Sequence, residues 1–499
     1  MRWYLSALLC SIIVAASAQQ AAAQQGGARV LEIGDRLELL ADDTLIDSLM
    51  GGAQLRLHHP EPREVALVAD APWEGNGSLY ATVFQDGPLY RMYYRGANYR
   101  INKDEYTEDH RCVYCYAQSS DGIHWTKPQL GLFEWEGSKE NNIVLDGLGT
   151  HSFAPLRDDN PACSPQARYK ALANGAGPHG LFAFQSPDAI HWSLMRDGPV
   201  ITEGALDSQN LAFWDEARGE YRAYFRDFRD GRDIKTCTSP DFVTWSPGEW
   251  LDYTPGRSGE LYTNQVTPYF RAPHVLLGFP TRYIDRGWTQ SHNHLPRLEH
   301  RKIRAMPSPR EGSAVTEGLF MVSHDGQRFS MWPEAFIRPG LRTRDTWFYG
   351  DIYQTWGLVE TPSAIADAPP ELSLYASEHY HQETGAAFRR YTLRIDGFVS
   401  VQAPLSGGEM VTRPLTFAGR ELVLNMSTSA AGGITLEIQD ADGNPLPGFS
   451  LDECHEAFGD DLARVVAWSS GTDVSTLAGR PVRLRFRIKD ADLYSLRFR

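Results

Sequence analysis

With 499 residues, 42% of them hydrophobic, the chain is long enough for a large core and a second domain. Its 48 basic residues against 63 acidic ones leave a net charge of −15, which argues against nucleic acid or an anionic membrane surface as partner. Aromatic residues reach 11%, with 13 Trp and 22 Tyr, enough for an all-β core with some to spare for stacking on sugar rings.

The first residues read as a targeting segment. Arg2 supplies a positive start, Tyr4 to Ala16 an apolar run, and Ala16-Ser17-Ala18 a small-residue cleavage site. The Ala/Gln-rich stretch to Gly27 reads as a flexible leader, so residues 1–27 are expected to be signal and leader. Leu9 precedes Cys10 where a lipid-anchoring signal wants a small residue, so the expectation is export to the periplasm or medium without an anchor. No later apolar run is long enough to span a bilayer.

Downstream, residues 28–402 are expected to form a five-bladed β-propeller and residues 403–499 a small β-sandwich. The organising signal is a recurring turn: Ser119-Ser120-Asp121-Gly122-Ile123-His124-Trp125 returns as Ser186 to Trp192, as Ser239 to Trp245 and, weakened, as Ser323 to Phe329. The Asp can accept hydrogen bonds from amides just ahead of it and close the turn, and the aromatic then folds back as an apolar plug. Each copy follows a strand-like run, such as Arg111 to Ala117 or Gly180 to Phe184, and the unequal, blade-sized spacing suits a propeller with loop insertions. Ala28 to Asp47 read as edge or closing strands. Blade one begins near Trp73-Glu74-Gly75-Asn76, blade two at His151, blade three at Asp207, blade four at Glu260 and blade five at Asp351, with an insertion in blade four from about Ile284 to Thr316. After Val401 short alternating strands take over; Val482, Leu484, Phe486 and Ile488 face a core, and Arg483, Arg485, Arg487 and Lys489 form a solvated stripe.

In a propeller the first strand of each blade lines the axis, and ligands bind at a mouth of the channel. Glu74, Asp207 and Glu260 are therefore the candidate catalytic carboxyl groups: converging acids suit glycoside hydrolysis, and mutual repulsion would raise one pKa to make a general acid. His151, Asn210, Asn264, Arg226, Asp227, Arg282, Asp351, Glu378 and His379 are the candidate sugar-binding groups, and His292, His294 and His300 of the insertion a candidate lid. Without the signal segment five cysteines remain. Cys112-x-x-Cys115 lacks a second pair and reads as buried thiols or disulfide partners rather than a zinc site. No cofactor is expected, with room for a structural cation at the propeller axis.

The repeated Asp turn, the Glu74 loop and the Phe225-Arg226-Asp227 strand end resemble the five-bladed propeller glycoside hydrolases of families 32, 43 and 68, and exported bacterial proteins labelled family 32 N-terminal-like. Sialidase-like Asp boxes are a more distant likeness. The resemblance covers about residues 35–400 with a trailing sandwich. It implies a base or nucleophile at Glu74, a transition-state stabiliser at Asp207 and an acid at Glu260. The blade-one motif Glu74-Gly75-Asn76-Gly77 departs from the Asn-Asp-Pro of family 32, which speaks against a fructosidase. The expectation is an exported, exo-acting glycoside hydrolase working on a plant or algal polysaccharide, its partner a carbohydrate. The alternatives are a glycoside phosphorylase or transglycosidase, and a non-catalytic glycan-binding propeller. The sequence does not speak to oligomeric state.

Overall fold

A computed structural model of the chain describes residues 30–175 and 177–499; the signal and most of the leader, including Cys10, lie outside the described residues. Strands dominate, and no described helix is long and apolar enough to cross a membrane. Two compact units emerge, one spanning Leu57–Phe398 and the other joining the residues up to Arg56 to Val399–Arg499. This division departs from the boundaries expected at 28 and 402. The reason is strand pairing: Leu31–Gly34 runs parallel to Leu415–Phe417, and Ile46–Gly51 runs antiparallel to Gly408–Thr412. The first strands thus complete the C-terminal unit. The strand that joins the last sheet of the larger unit is Glu61–Val68, against Ala387–Arg394.

The larger unit is all-β and propeller-like. Four of its sheets have four strands each, and three of these are simple meanders opening with Thr82–Asp86, Ser152–Arg157 and Leu211–Asp215. The fourth runs Val359–Thr361, Glu371–Glu378, Ala387–Arg394 and then Glu61–Val68. Between the third meander and this sheet lies a seven-stranded sheet, Asp252 to Ile337, interrupted by helices α1 (Gln290–Asn293), α2 (Leu298–Ala305) and α3 (Arg310–Ser313). These helices fill the insertion expected from Ile284 to Thr316.

The four Asp turns share one geometry. Asp121 Oδ1 accepts from Ile123 N and His124 N, both at 2.8 Å, and Ser119 Oγ accepts from Gly122 N at 2.9 Å. Asp188, Asp241 and Asp325 repeat the paired amide contacts. The residue after each Asp is left-handed, with φ of 72°, 69°, 67° and 82° at Gly122, Ala189, Phe242 and Gly326. Such φ values disfavour a side chain, so Ala189 and Phe242 are held there by the surrounding bonds. Trp125, Trp192 and Trp245 each donate Nε1–H to the carbonyl of that left-handed residue at 3.2 Å.

What brings the sheets around a common line is a chain of buried amides. Gln209 donates to Thr82 Oγ1 at 3.0 Å, and Gln265 donates to Gln209 Oε1 and to the Gln354 carbonyl, both at 2.7 Å. These residues belong to the leading strands, or the turns before them, of four different sheets. A side chain cannot reach across such a ring unless those strands converge.

The C-terminal unit is one hydrogen-bonded sheet of ten strands, built on the long strands Leu422–Asp440 and Val482–Phe498, where separate sandwich sheets were expected. Each long strand changes partner along its length, so the sheet stays continuous. Val482, Leu484, Phe486 and Ile488 are buried, as alternation predicts. On the other face Arg483 pairs with Asp47, and Arg485 with Glu409 and Glu437, so much of the basic stripe is neutralised rather than merely solvated.

Candidate functional site

The turns that precede the leading strands place their side chains at one end of the ring. There lies a cavity of about 560 Å³, lined by His151, Asn174, His179, Asp207, Arg226, Phe228, Arg232 and Arg310 together with small residues. A larger cavity, about 830 Å³, occupies the opposite ends of the same strands, with Phe84, Pro155, Phe213, Pro268 and Trp356 in its wall. Among the described residues its wall holds no carboxylate–imidazole pair, whereas the wall of the smaller cavity does.

Asp207 is the centre of that site and the only carboxylate among the described residues lining it. His151 Nε2 lies 2.9 Å from Asp207 Oδ1, and Arg226 lies 3.8 Å from Oδ2. The Arg95 guanidinium, which can only donate, stands 3.5 Å from His151 Nδ1. That contact puts the ring proton on Nε2, where it is donated to Asp207. Burial pulls the Asp207 pKa up, but the His151 hydrogen bond and the charges of Arg226 and Arg310 outweigh it and hold the carboxyl below its ordinary 3.8. Its side chain is 62% exposed, so an ionised carboxylate faces the cavity.

Asn210 braces this aspartate. Its Nδ2 donates to the Leu206 and Ser208 carbonyls, on either side of Asp207, and its Oδ1 accepts from Arg226 N. Behind the cavity lies a tyrosine cluster, Tyr80, Tyr262, Tyr283, Tyr349, Tyr353 and Tyr380, buried throughout. Arg226 and Arg232 stack over Tyr262 at 5.1 and 5.0 Å, Arg232 over Tyr283 at 4.3 Å, and Arg310 over Tyr349 at 5.1 Å. Phe228 is 54% exposed and adds an apolar ring to the wall.

No family model matches the chain. Over 143 residues, 27% of this chain, it is 27% identical to "Uncharacterized protein Rv1502" of Mycobacterium tuberculosis, and that match spans 40% of the relative's length. Solved structures similar to the chain include a thermostable family-43 glycoside hydrolase, at 11% identity and TM-score 0.42, covering 68% of this chain and 96% of that one. They also include an N-acetylgalactosamine deacetylase from F. plautii in complex with blood group B trisaccharide, at 12% identity and TM-score 0.41, covering 68% and 94%.

Several expected site residues stand elsewhere. Glu74 is fully buried, with Oε1 accepting from Tyr94 and Oε2 ion-paired to Lys127, each at 2.5 Å, and Ala71 N donating to Oε2 at 3.0 Å. It lies in the loop well before Thr82–Asp86, and Tyr80, beside that strand, is the residue that meets His151, at 5.7 Å. Glu260 is one partner removed: it accepts from Arg232 at 2.7 Å and does not line the cavity itself. Asn264 bonds backbone groups of Gln209, Tyr224 and Val266 and is buried. Asp227 points away from Arg226 along the strand and pairs with Lys235 at 3.0 Å. Arg282 is taken up by Glu317, Ser258 and the Pro333 carbonyl.

The remaining corrections concern the last sheet and the insertion. Asp351 is buried, accepts from the amides of Phe348 and Tyr380, and is pushed up to about 7 by that burial. Glu378 forms a bidentate pair with Arg389, and its neighbour His379 does not line the cavity either. Within its own insertion His292 donates Nε2–H to the Gly312 carbonyl, His294 donates Nδ1–H to the Gln290 carbonyl, and neither these nor His300 forms a lid lining the cavity. The insertion sends Arg310 instead. All five described cysteines are free, and among the described residues no group of three or more His, Cys, Asp or Glu could hold a metal ion. On the axis, Gln265 Oε1, Gln354 Oε1 and Thr355 Oγ1 are buried oxygens without a partner among the described residues. They are the groups that could ligate a cation through neutral oxygens.

Proposed function

We propose that the chain is an exported enzyme of glycosyl transfer, in the first instance a glycoside hydrolase, acting at the Asp207 cavity. Here the seven-stranded sheet counts as the fifth blade, and the curled C-terminal sheet as an accessory sandwich-type domain. The observation that carries the reading is an ionised Asp207 facing a sugar-sized cavity while His151, Arg226 and Asn210 hold it in place. Asp207 then takes the proton of a water whose oxygen bonds to the anomeric carbon, as the glycosidic C–O bond breaks. The leaving oxygen needs a proton in return, and Glu260 is its proposed donor, once it has left Arg232 and taken up a proton from solvent. Glu74 has no part in this scheme, because its partners and burial keep it from any sugar. The axial oxygens of Gln265, Gln354 and Thr355 are the proposed seat of a structural cation.

Asp207→Asn should lower kcat/KM on a released-sugar assay by about 10²–10⁴-fold with an unchanged circular dichroism spectrum. Undiminished turnover would remove Asp207 from the mechanism. Glu260→Gln tests the donor in the same assay. One feature favours a second reading, sugar binding without catalysis: hydrolysis needs two carboxyl groups, and among the described residues a single one lines the cavity. That reading predicts glycan binding by the wild type with no product formed from any glycan it binds.

A further inference from the structure

In a chain of net charge −15, this cavity has the opposite sign. Three guanidinium groups reach it from separate elements: Arg226 in the strand Glu220–Phe228, Arg232 at the head of Arg232–Ser239, and Arg310 at the first residue of α3. Carboxylates answer only part of that charge. Glu260 takes Arg232 at 2.7 Å, whereas Asp207 and Glu311 stay 3.8 Å from Arg226 and Arg310. Glu311 is moreover engaged by Arg304 and His381, each at 3.0 Å.

The Arg226 side chain is only 5% exposed. Its Nε donates to the Ala205 carbonyl, but no described residue accepts a hydrogen bond from its Nη atoms, nor from any nitrogen of Arg310. Stacking on Tyr262 and Tyr349 occupies the faces of these two guanidinium groups and leaves their in-plane N–H bonds to serve a ligand. These N–H bonds are open to the cavity, and a planar or tetrahedral oxyanion is the acceptor that matches several guanidinium forks at once.

We propose that Arg226, Arg232 and Arg310 form an oxyanion site beside Asp207. Taken with the glycosyl-transfer reading, on which this naming of the substrate rests, the reactant is either a sugar bearing an acid group or a neutral sugar transferred to inorganic phosphate. The oxyanion chemistry is the same for both; the source is settled by which anion binds. Phe228 lies in the same wall, with Arg226 and Arg232 over its ring at 5.4 and 6.0 Å, so an apolar ring and the anion donors adjoin.

The test is calorimetric titration of the full chain with sodium D-glucuronate, with inorganic phosphate and with D-glucose, at fixed ionic strength in sodium chloride. At least one of the two anions should bind ten times tighter than glucose. Arg310→Gln should weaken it tenfold or more, and Asp207→Asn should tighten it, because that change removes the carboxylate lining the cavity. Preference for glucuronate identifies an acid-bearing sugar, and preference for phosphate identifies phosphate as the acceptor. Arg310 is 34% exposed on the insertion, so its variant is expected to fold; Arg310→Lys, keeping charge but not the fork, should give an intermediate loss. Equal binding of glucose and both anions, unchanged affinity in both Arg310 variants, or weaker binding in Asp207→Asn would overturn the proposal. Because binding is read without turnover, tight anion binding by a protein inactive on every glycan sinks the enzyme reading and leaves this site standing.

Discussion

Asp207 keeps its charge because a hydrogen bond and two nearby cations outweigh the pull of burial. His151 supplies that hydrogen bond, and Arg95 determines which nitrogen carries the proton. His151→Ala should therefore raise the Asp207 pKa, so the acid limb of kcat/KM against pH moves to higher pH. Activity at neutral pH should fall by about tenfold, ~1.4 kcal/mol of barrier, as the carboxylate loses its orientation. An acid limb that stays in place or moves lower would show that His151 does not set the ionisation of Asp207. The contrast with Glu74 is instructive, since both are acids ahead of a strand. Glu74 is held by Lys127, Tyr94 and a backbone amide, and nothing in its local sequence announces those partners.

The Asp turns were legible because their bonds close within seven residues, so residue type and spacing carry the information. Asp188→Ala removes the oxygen that accepts from two backbone amides and should cost about 1–2 kcal/mol, read as a lower denaturant midpoint at unchanged slope. Offsets between those turns and the next leading strand were not legible, because loop length varies from sheet to sheet. His151 and Asp207 stand within a few residues of Ser152 and Leu211, but Glu74 and Asp351 lie farther back and are drawn into loops of their own. Arg310 was beyond sequence reasoning, since α3 reaches the cavity only through the packing of the insertion. That packing rests on Glu311, buried between Arg304 and His381 and held at about 2, burial being outweighed by those two partners. Glu311→Gln leaves Arg304 buried without its counter-charge and should cost about 3–5 kcal/mol, measured by chemical denaturation. A change within experimental error would mean that the insertion is held by other contacts.

At the scale of the whole molecule, Asp351 ties stability to pH. Its folded pKa, about 7, lies above its unfolded value of 3.8, so the folded chain holds the extra proton between these limits. This contribution is complete below about pH 4 and is lost as pH rises through 7. The fall in melting temperature from pH 5 to pH 8 should be smaller in Asp351→Asn than in the wild type, and an equal fall would mean that Asp351 titrates normally. All-β class and the order of the sheets could be read from strand-like runs and turns, whereas the unit boundary could not. Leu31–Gly34 and Ile46–Gly51 look like any edge strands until their partners near residues 408–417 are known.

The pairing of Glu61–Val68 with Ala387–Arg394 also governs how the molecule can be made. A ribosome delivers the first of these segments long before the second, and until then the nascent chain carries a raw β-edge with nothing to dock on it. A chain cut short before Ala387 would keep that edge permanently, and its expected fate is self-association rather than a smaller working ring.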